Sequence, residues 1–596
     1  MQKYRAPIRD QLFYLNELPA VSADDRAQST VSGDGTESAA MILEAIGKFA
    51  ERELLPLNST GDREGARWDN GSVTTPSGFK QAYERFVQAG WTRLGHPEEH
   101  GGQPVPYALK LAGDEILNSA NQAWCIYTHL GDGALKTLIR FAERDQVEAI
   151  VPKLVSGEWT GTMCLTEPQC GSDLNLLRTR AEPTENGRYR IHGSKMFISS
   201  GEHDWTDNIV HLVLARLPDA PPGTRGISLF AVPKRLPGPD GTLGAINNVH
   251  CVSIEDKMGL KASATCSMAF DGAEGWMVGP PNRGLNCMFL FVNKSRLGVA
   301  VQGVAQAEAA YQDSLAYAHE RLAGRAPGSA REPADALVAH ADVRRMLLTQ
   351  RAVAEGGRAL AYLCAKWVEI ADGEDAAAHE EAEQRLALLT PIAKGVLTEL
   401  AGEATDLAIQ IHGGHGYIKE TGVEQRARDI RIARIYEGTT AIQAMDLLGR
   451  KVLGPQRAVL GRFIDEIQVL CARAPAAGNE RMVQRLQAAA ATWRKVTDDI
   501  ADKARSDAHL VGAIAVDYLM LSGYVTLGYL WAQAAEVSAR RLADSGSDAA
   551  FYRAKRQTAQ FYFDKLLPRM AVHQACIEAG SEAMLNVDDA LRLAEA

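Results

Sequence analysis

The first long pattern in the chain has a helical period. Its apolar positions Ile42, Leu43, Ile46, Phe49 and Leu54 recur at spacings of three and four residues, which is typical of one face of an α-helix. Similar segments, separated by turns rich in glycine and proline, continue to about residue 161. The pattern predicts an N-terminal helical domain over residues 1–161, with a polar surface loop at residues 22–38.

The pattern changes at residue 162. Short runs rich in β-branched and aromatic residues follow one another, among them YRIHGSKMFIS, NIVHLVLARL and GISLFAVP. The turn sequences PDAPPG and PGPDG separate them. Such runs between turn signals indicate β-strands. We therefore predict a central β-domain over residues 162–284.

Helical patterns return at residue 285 and continue to the C-terminus. They predict one helical domain over residues 285–452 and, after the turn at Gly454-Pro455, an additional one over residues 453–596. The polar stretch 323–340 is predicted to be a loop between two helices. The most apolar stretch, residues 511–535, contains Asp517 and has no basic flank at its start. We expect a buried helix there rather than a membrane contact. The fold class is mainly α with a central β-domain.

Composition and charge narrow the function classes. A chain of 596 residues is too long for a single core, and 46% hydrophobic with 23% charged residues is ordinary for a globular protein. The net charge of −10, with 17 basic and 17 acidic residues in the last domain, argues against nucleic-acid binding. The nine cysteines form no CxxC pair, and the N-terminus lacks the apolar core of a signal peptide. We expect free thiols and a cytoplasmic location.

Two segments could contact a cofactor. In Met163–Leu174, the small residues Thr166, Gly171 and Ser172 could approach a flat ring or a phosphate, although composition alone favours a plain turn into a sheet. In GSKMFISSG, Phe197 and Ser199 place an aromatic ring near a hydroxyl, which suits stacking on a ring system. An aromatic residue on a strand is, on its own, more often part of the core.

A third segment, Gln410–Gln443, contains several glycines and two histidines. Gly413 and Gly414 would let backbone amides approach a pyrophosphate, but the spacing is not that of a dinucleotide-binding GxGxxG motif. His412 and His415 lie three residues apart without cysteine or carboxylate partners. We therefore predict structural or phosphate-side histidines and no metal site.

Glu437 lies in the same segment, among apolar residues and before a glycine. A carboxylate in a dry pocket has a raised pKa and can act as a general base. The alternative is a capping glutamate at the start of the helix that Thr439 and Thr440 would open. The local sequence leaves the two interpretations equally open.

Five short motifs together resemble those of a known family. TEPQCGSD, GSKMFISSG, EDKMGLKASATCSMAF, QIHGGHGY and RIYEGTT occur in this order, and the set resembles the motifs of the acyl-CoA dehydrogenases over residues 40–452. The resemblance implies an N-terminal helical domain, a β-barrel-like central domain and a C-terminal four-helix bundle. It also implies FAD as cofactor and Glu437 as the base that removes the substrate α-proton.

The resemblance also assigns binding roles, position by position. Met163 and Phe197 match positions that are often aromatic in the family, Ser199 stands for a usual threonine, and Arg321 lies in a shortened form of an FAD-binding motif. The implied CoA-binding residues are Ser172, Asn293, Ser295 and Arg296. The implied FAD-binding residues are Met163, Leu165, Thr166, Gly171, Ser172, Phe197, Ser199, Arg321, Gln410, Gly413, Gly414 and Thr439.

The resemblance also implies partners. They are an acyl-CoA substrate, an electron-transfer flavoprotein as electron acceptor, and a second copy of the chain in a homodimer. The length and the C-terminal extension resemble a bacterial subgroup that includes 3-methylthiopropionyl-CoA and longer-chain acyl-CoA dehydrogenases. We expect a fatty acyl-CoA substrate, with 3-methylthiopropionyl-CoA as the alternative. Competing hypotheses are an oxidase and a non-catalytic flavoprotein that binds nucleic acid.

Overall fold

The computed structural model describes residues 4–18, 20, 33–238, 242–373, 375–473, 475–544, 548–585 and 587–591. The chain forms two compact units. The helix–sheet unit comprises Tyr4–Ala6 and Glu44–Gly298, and the bundle unit comprises Pro7–Leu43 and Val299–Ala596. Most of the polar stretch predicted as a loop, residues 22–32, lies outside the described residues. The prediction was wrong for residues 33–38, which belong to a helix.

Strands are concentrated in the predicted β-domain, and helices occupy most of the rest. The strands are β1 (Arg67–Asp69), β2 (Ser72–Thr74), β3 (Thr160–Cys164), β4 (Arg180–Pro183), β5 (Tyr189–Ser199), β6 (Ile209–Arg216), β7 (Ile227–Pro233), β8 (Arg235–Pro237), β9 (Leu243–Ile246), β10 (Val249–Ile254) and β11 (Thr265–Val278).

Seven α-helices begin in the described part of the first three hundred residues. They are α1 (Ile8–Asn16), α2 (Gly33–Phe49), α3 (Leu55–Glu64), α4 (Phe79–Gln88), α5 (Tyr107–Phe141), α6 (Arg144–Ser156) and α7 (Gly284–Glu320). The remaining helices belong to the bundle unit. They are α8 (Ala341–Ala371), α9 (Ala376–His412), α10 (Gly414–Tyr417), α11 (Val423–Ile430), α12 (Thr440–Met445), α13 (Arg457–Ala472), α14 (Glu480–Lys503), α15 (Leu510–Ala543), α16 (Ala549–Phe561), α17 (Met570–Ala579), α18 (Glu582–Leu585) and α19 (Asp588–Leu591).

A seven-stranded sheet forms the centre of the helix–sheet unit. Its order is β10-β11-β5-β4-β6-β3, and β7 pairs with both β11 and β6. Strands β6 and β7 are almost wholly buried, which explains their continuous apolar runs. Leu135 of α5 and Ile150 of α6 pack in one core with Leu212 and Leu229 of these two strands. The sheet is therefore covered by the helices that precede it in the chain.

A hairpin that we did not predict from the sequence joins β1 to β2. Arg67 pairs with Thr74 and Asp69 with Ser72. Asn70 and Gly71 both have positive φ, at 46° and 88°. Asn-Gly is the preferred sequence of this two-residue turn, so the signal was present in the sequence.

In the bundle unit, α15 is the most apolar helix and packs against α8 and α9. It is long and apolar enough to cross a membrane, but 72% of its most apolar window is buried inside the structure. Gly523 of α15 lies against Val396 of α9, and Trp531 lies against Gly356 of α8. The prediction of a buried helix is confirmed, as is the loop before α8.

A buried ionic cluster connects the C-terminal helices with the rest of the bundle unit. Lys555 of α16 pairs with Asp10 of α1 and lies 2.7 Å from Glu355 of α8. Arg358 of α8 also pairs with Asp10 and lies 2.9 Å from Glu308 of α7. Burial would raise the pKa of Asp10, but Lys555 and Arg358 hold it below its usual value. Residues beyond 453 thus share a core with the bundle.

Candidate functional site

The segment predicted to hold a cofactor follows β3 in the helix–sheet unit. Glu167 and Cys170 exchange two backbone hydrogen bonds of 2.9 Å, which close a tight turn. The amide of Met196 in β5 donates to the carbonyl of Thr166 at 3.0 Å and ties the turn to the sheet. A Cβ added at Gly171 would meet no atom within 4 Å, so this glycine presents an open face of backbone. We call residues 165–173 the flavin loop.

An ion pair beneath the flavin loop holds it from inside. Lys195 of β5 donates to Oε1 of Glu167 at 2.8 Å and to the carbonyl of Leu165 at 3.0 Å. Glu167 also accepts from the amide and hydroxyl of Thr179 and from the amide of Arg178. Burial acts to raise the pKa of Glu167, but Lys195 and these donors lower it to about 2. Sequence reasoning missed both residues, although each lies inside a quoted motif.

Phe197 lies near the end of β5 in an unusual conformation. Its φ is +57°, in the left-handed region that phenylalanine rarely adopts, and 55% of its surface is exposed. Ser199 follows within the strand and pairs with Thr265 of β11. An exposed ring on a strained backbone is costly, and such positions concentrate at functional sites.

Glu437 has the same kind of backbone in the bundle unit. Its φ is +56°, and Gly438 follows with φ +89°. The hydroxyl of Thr439 caps the next helix by accepting from the amide of Ile442 at 3.3 Å. Thr439 therefore takes the capping role that the alternative interpretation gave to Glu437. A non-glycine residue held at positive φ points instead to a functional constraint.

The residues on either side anchor this segment, the base loop (residues 435–439), to the long helices. Arg434 donates to the carbonyl of Glu399 at 2.9 Å and passes over Gly402, where a Cβ would clash with the guanidinium. The hydroxyl of Thr440 donates to the Glu399 carboxylate at 2.7 Å. The hydroxyl of Tyr436 donates to Gln302 of α7. The base loop is thus fixed at both ends.

The backbone of the glycine-rich segment at the end of α9 has open space beside it. Gly413 has φ +59°, and a Cβ at Gly413 or Gly414 would meet no atom within 4 Å. Gln410 is exposed in the last turn of α9. His412 is bonded to the carbonyl of Ala408 at 2.8 Å, and burial lowers its pKa. The described residues contain no group of three or more side chains arranged to bind a metal ion.

The remaining predicted residues lie on or beside α7. Arg321 directly follows this helix and is exposed. Asn293, Ser295 and Arg296 lie in its first third, where Asn293 is exposed and Arg296 is buried. In the helix–sheet unit the structure thus brings together the flavin loop and Phe197, and in the bundle unit it brings together Glu437 and Thr439.

A small cavity also lies within the helix–sheet unit, and its volume is about 70 Å³. Aromatic rings line it together with His96, Lys110, Asp114, His129 and Asp132. Lys110 lies 2.8 Å from Asp114, and Nε2 of His96 lies 3.0 Å from Asp132. Nδ1 of the buried His96 has no hydrogen-bond partner among the described residues. The cavity therefore combines aromatic lining residues with a buried nitrogen atom that is available for a hydrogen bond.

Comparison with known proteins identifies the family. The family descriptions that match are the acyl-CoA dehydrogenase N-terminal domain at residues 36–158, its middle domain at 162–273 and its C-terminal domain at 282–453. An acetyl-CoA dehydrogenase C-terminal-like domain matches residues 463–588. The chain is 42% identical to 3-methylmercaptopropionyl-CoA dehydrogenase of Ruegeria pomeroyi, over 98% of this chain and 99% of that protein. The chain belongs to the acyl-CoA dehydrogenase family.

Two further relatives extend the comparison. A broad-specificity linear acyl-CoA dehydrogenase of Mycobacterium tuberculosis is 33% identical over 99% of this chain and 100% of its own length. The crystal structure of Caenorhabditis elegans ACDH-11 in complex with C11-CoA superposes with a TM-score of 0.76, at 19% identity, over 95% of this chain and 93% of that one. The predicted family and fold class are confirmed.

Members of this family are FAD-dependent oxidoreductases that act on CH–CH bonds. The residues of this chain fit the cofactor. The helix–sheet unit offers an exposed aromatic ring at Phe197 and open backbone at Gly171. The bundle unit offers open backbone at Gly413 and Gly414. An aromatic ring suits a flavin, and exposed backbone amides suit a diphosphate.

Proposed function

We propose that the protein catalyses α,β-dehydrogenation of an acyl-CoA thioester to a trans-2-enoyl-CoA, with Glu437 as the base. The observation that carries this proposal is the left-handed backbone of Glu437 in a loop anchored at both ends. Such a conformation costs on the order of 1–3 kcal/mol and persists only where the surroundings impose it. Thr439 already caps the following helix, so a capping role does not account for it.

The steps that belong to the protein concern proton removal and orientation. The carboxylate of Glu437 takes one proton from the α-carbon of the thioester. The bound FAD would supply the acceptor for the hydride of the β-carbon. Phe197, Ser199 and the flavin loop would hold the ring system, and Gly413 and Gly414 would approach the phosphates of the FAD bound by the partner subunit. Asn293, Ser295 and Arg296 would bind the CoA moiety.

For the substrate, we favour 3-methylmercaptopropionyl-CoA over the fatty acyl-CoA expected from the sequence. The relative of that name is similar to this chain over nearly the full length of both proteins.

A second candidate is a linear fatty acyl-CoA, which the Mycobacterium tuberculosis relative supports. For either substrate we propose that the electrons pass to an electron-transfer flavoprotein. We also propose that the enzyme works as a homodimer in the cytoplasm.

The test of the substrate is anaerobic bleaching of the oxidised flavin. 3-Methylmercaptopropionyl-CoA, butyryl-CoA and palmitoyl-CoA would each be mixed with the purified holoenzyme, and the rate of bleaching measured. We expect the methylmercapto ester to bleach fastest. Faster bleaching by palmitoyl-CoA would favour the second candidate, and no bleaching by any ester would overturn the proposed activity. Oxygen uptake without an added acceptor would indicate an oxidase.

A further inference from the structure

Two buried side chains reach the backbone of the base loop from within the bundle unit. Lys394 of α9 donates from Nζ to the carbonyl of Gly438 at 2.5 Å. Gln443 of α12 donates from Nε2 to the carbonyl of Glu437 at 3.1 Å and to that of Gly438 at 3.3 Å. Neither Lys394 nor Gln443 has measurable exposure to solvent. Both donors therefore lie on the inner side of the loop.

These two carbonyls belong to the two residues of the loop with positive φ. Positive φ is unfavourable for glutamate, so hydrogen bonds to the loop must offset its cost. An ammonium group and an amide, both shielded from solvent, supply such bonds. Burial of a lysine is destabilising unless its hydrogen bonds are made. The free energy of burying Lys394 therefore depends on the position of the loop to which it donates.

We propose that Lys394 and Gln443 are positioning residues that hold the carbonyls of Glu437 and Gly438 and thereby fix the orientation of the catalytic carboxylate. This inference rests on the proposed role of Glu437 as base. The side chains act through the backbone, so they affect the rate of proton removal rather than the binding of CoA. The anchors at Arg434 and Thr440 fix the ends of the loop, whereas Lys394 and Gln443 fix its middle.

The test compares Lys394→Met and Gln443→Met with the wild-type holoenzyme. A displacement of the base by about 1 Å costs up to roughly a hundredfold in rate, so we expect kcat of Lys394→Met to fall by roughly ten- to hundredfold. KM and FAD content should stay close to wild type. Loss of the hydrogen bonds that Nε2 of Gln443 donates to the two carbonyls should lower kcat of Gln443→Met by about fivefold. With an α-deuterated substrate, the isotope effect on kcat should rise in both variants.

Thr405→Val is the matched control. Thr405 is also buried in α9, but its hydroxyl bonds only to carbonyls of its own helix, so kcat should not change. Wild-type kcat in Lys394→Met, or a loss explained by a raised KM or missing FAD, would overturn the inference. If Lys394→Met does not fold, Gln443→Met decides, because it leaves the lysine in place. Activity retained by Glu437→Gln would refute the proposed base itself, which is a separate outcome.

Discussion

Oε1 of Glu167 and Nζ of Lys195 lie 2.8 Å apart, and both side chains are almost completely buried. The pair joins the flavin loop to β5, the strand that presents Phe197. Removal of one member of such a pair leaves an uncompensated charge in the interior. The pair therefore makes the shape of the segment that we propose to hold FAD depend on Glu167 and Lys195, two residues to which no contact with FAD is assigned.

The first prediction concerns Lys195→Met. We expect a loss of about 3–5 kcal/mol in the free energy of unfolding of the helix–sheet unit, together with loss of bound FAD. Chemical denaturation and the flavin absorbance of the purified protein measure these effects. Glu182→Gln, on the exposed surface of β4, is the control and should behave as wild type. Full FAD content in Lys195→Met would contradict the proposed role of the pair.

The Glu167–Lys195 pair also makes the stability of the fold depend on pH. The pKa of Glu167 is lowered from 4.5 to about 2 in the folded protein. The ionised carboxylate therefore stabilises the fold at pH values above about 4.5, and this contribution is lost as the pH falls toward 2. Thermal unfolding of wild type and Glu167→Gln across this range should show the steeper loss in wild type. Parallel curves would show that Glu167 does not titrate in this way.

The prediction for Glu437 is loss of turnover with retention of cofactor. Glu437→Gln keeps the size of the side chain but cannot take a proton, so bound FAD should remain while turnover nearly disappears. Steady-state assays with an artificial electron acceptor measure turnover. Glu420→Gln, at an exposed position, is the control. Retention of more than about a tenth of the rate, roughly 1.4 kcal/mol of barrier, would rule out this base.

For Phe197, we expect weaker FAD binding when the ring is removed. Phe197→Ala should raise the dissociation constant of FAD by about tenfold, since aromatic pairs contribute about 0.5–1.5 kcal/mol beyond the area they bury. Titration of the apoprotein with FAD gives this constant. Ile246→Ala removes a still more exposed apolar side chain from β9 and should leave the dissociation constant unchanged. An unchanged constant in Phe197→Ala would place the flavin elsewhere.

The last prediction concerns the packing of the C-terminal extension. A Cβ at Gly523 would lie 2.4 Å from a methyl carbon of Val396. Gly523→Ala should therefore destabilise the bundle unit by about 1–3 kcal/mol through overpacking. Gly512→Ala, in the same helix with no atom within 4 Å, should stabilise it slightly because alanine favours helix formation. If Gly523→Ala and Gly512→Ala changed the free energy of unfolding in denaturant by the same amount, close packing of α15 on α9 would be contradicted.

The sequence by itself determined the order of the helical and β-rich regions along the chain and the family to which the chain belongs. Periodicity identified the helical regions, the β-rich region and the buried helix near residue 520, because it reports which face of an element is buried. Five motifs in a fixed order identified the family, although each alone was ambiguous. The turn residues Asn70 and Gly71 also predict the β1–β2 hairpin, but we did not infer this hairpin from the sequence.

Only the tertiary structure decided how the individual candidate site residues are held. The local sequence left Glu437 open between a cap and a base, and the structure gave the cap to Thr439 and a left-handed backbone to Glu437. Lys394 supports this loop from 44 positions away, and Lys195 supports Glu167 across 28 positions. No local pattern encodes such pairs, because they depend on how distant elements pack, and burial then determines which donor must satisfy which acceptor.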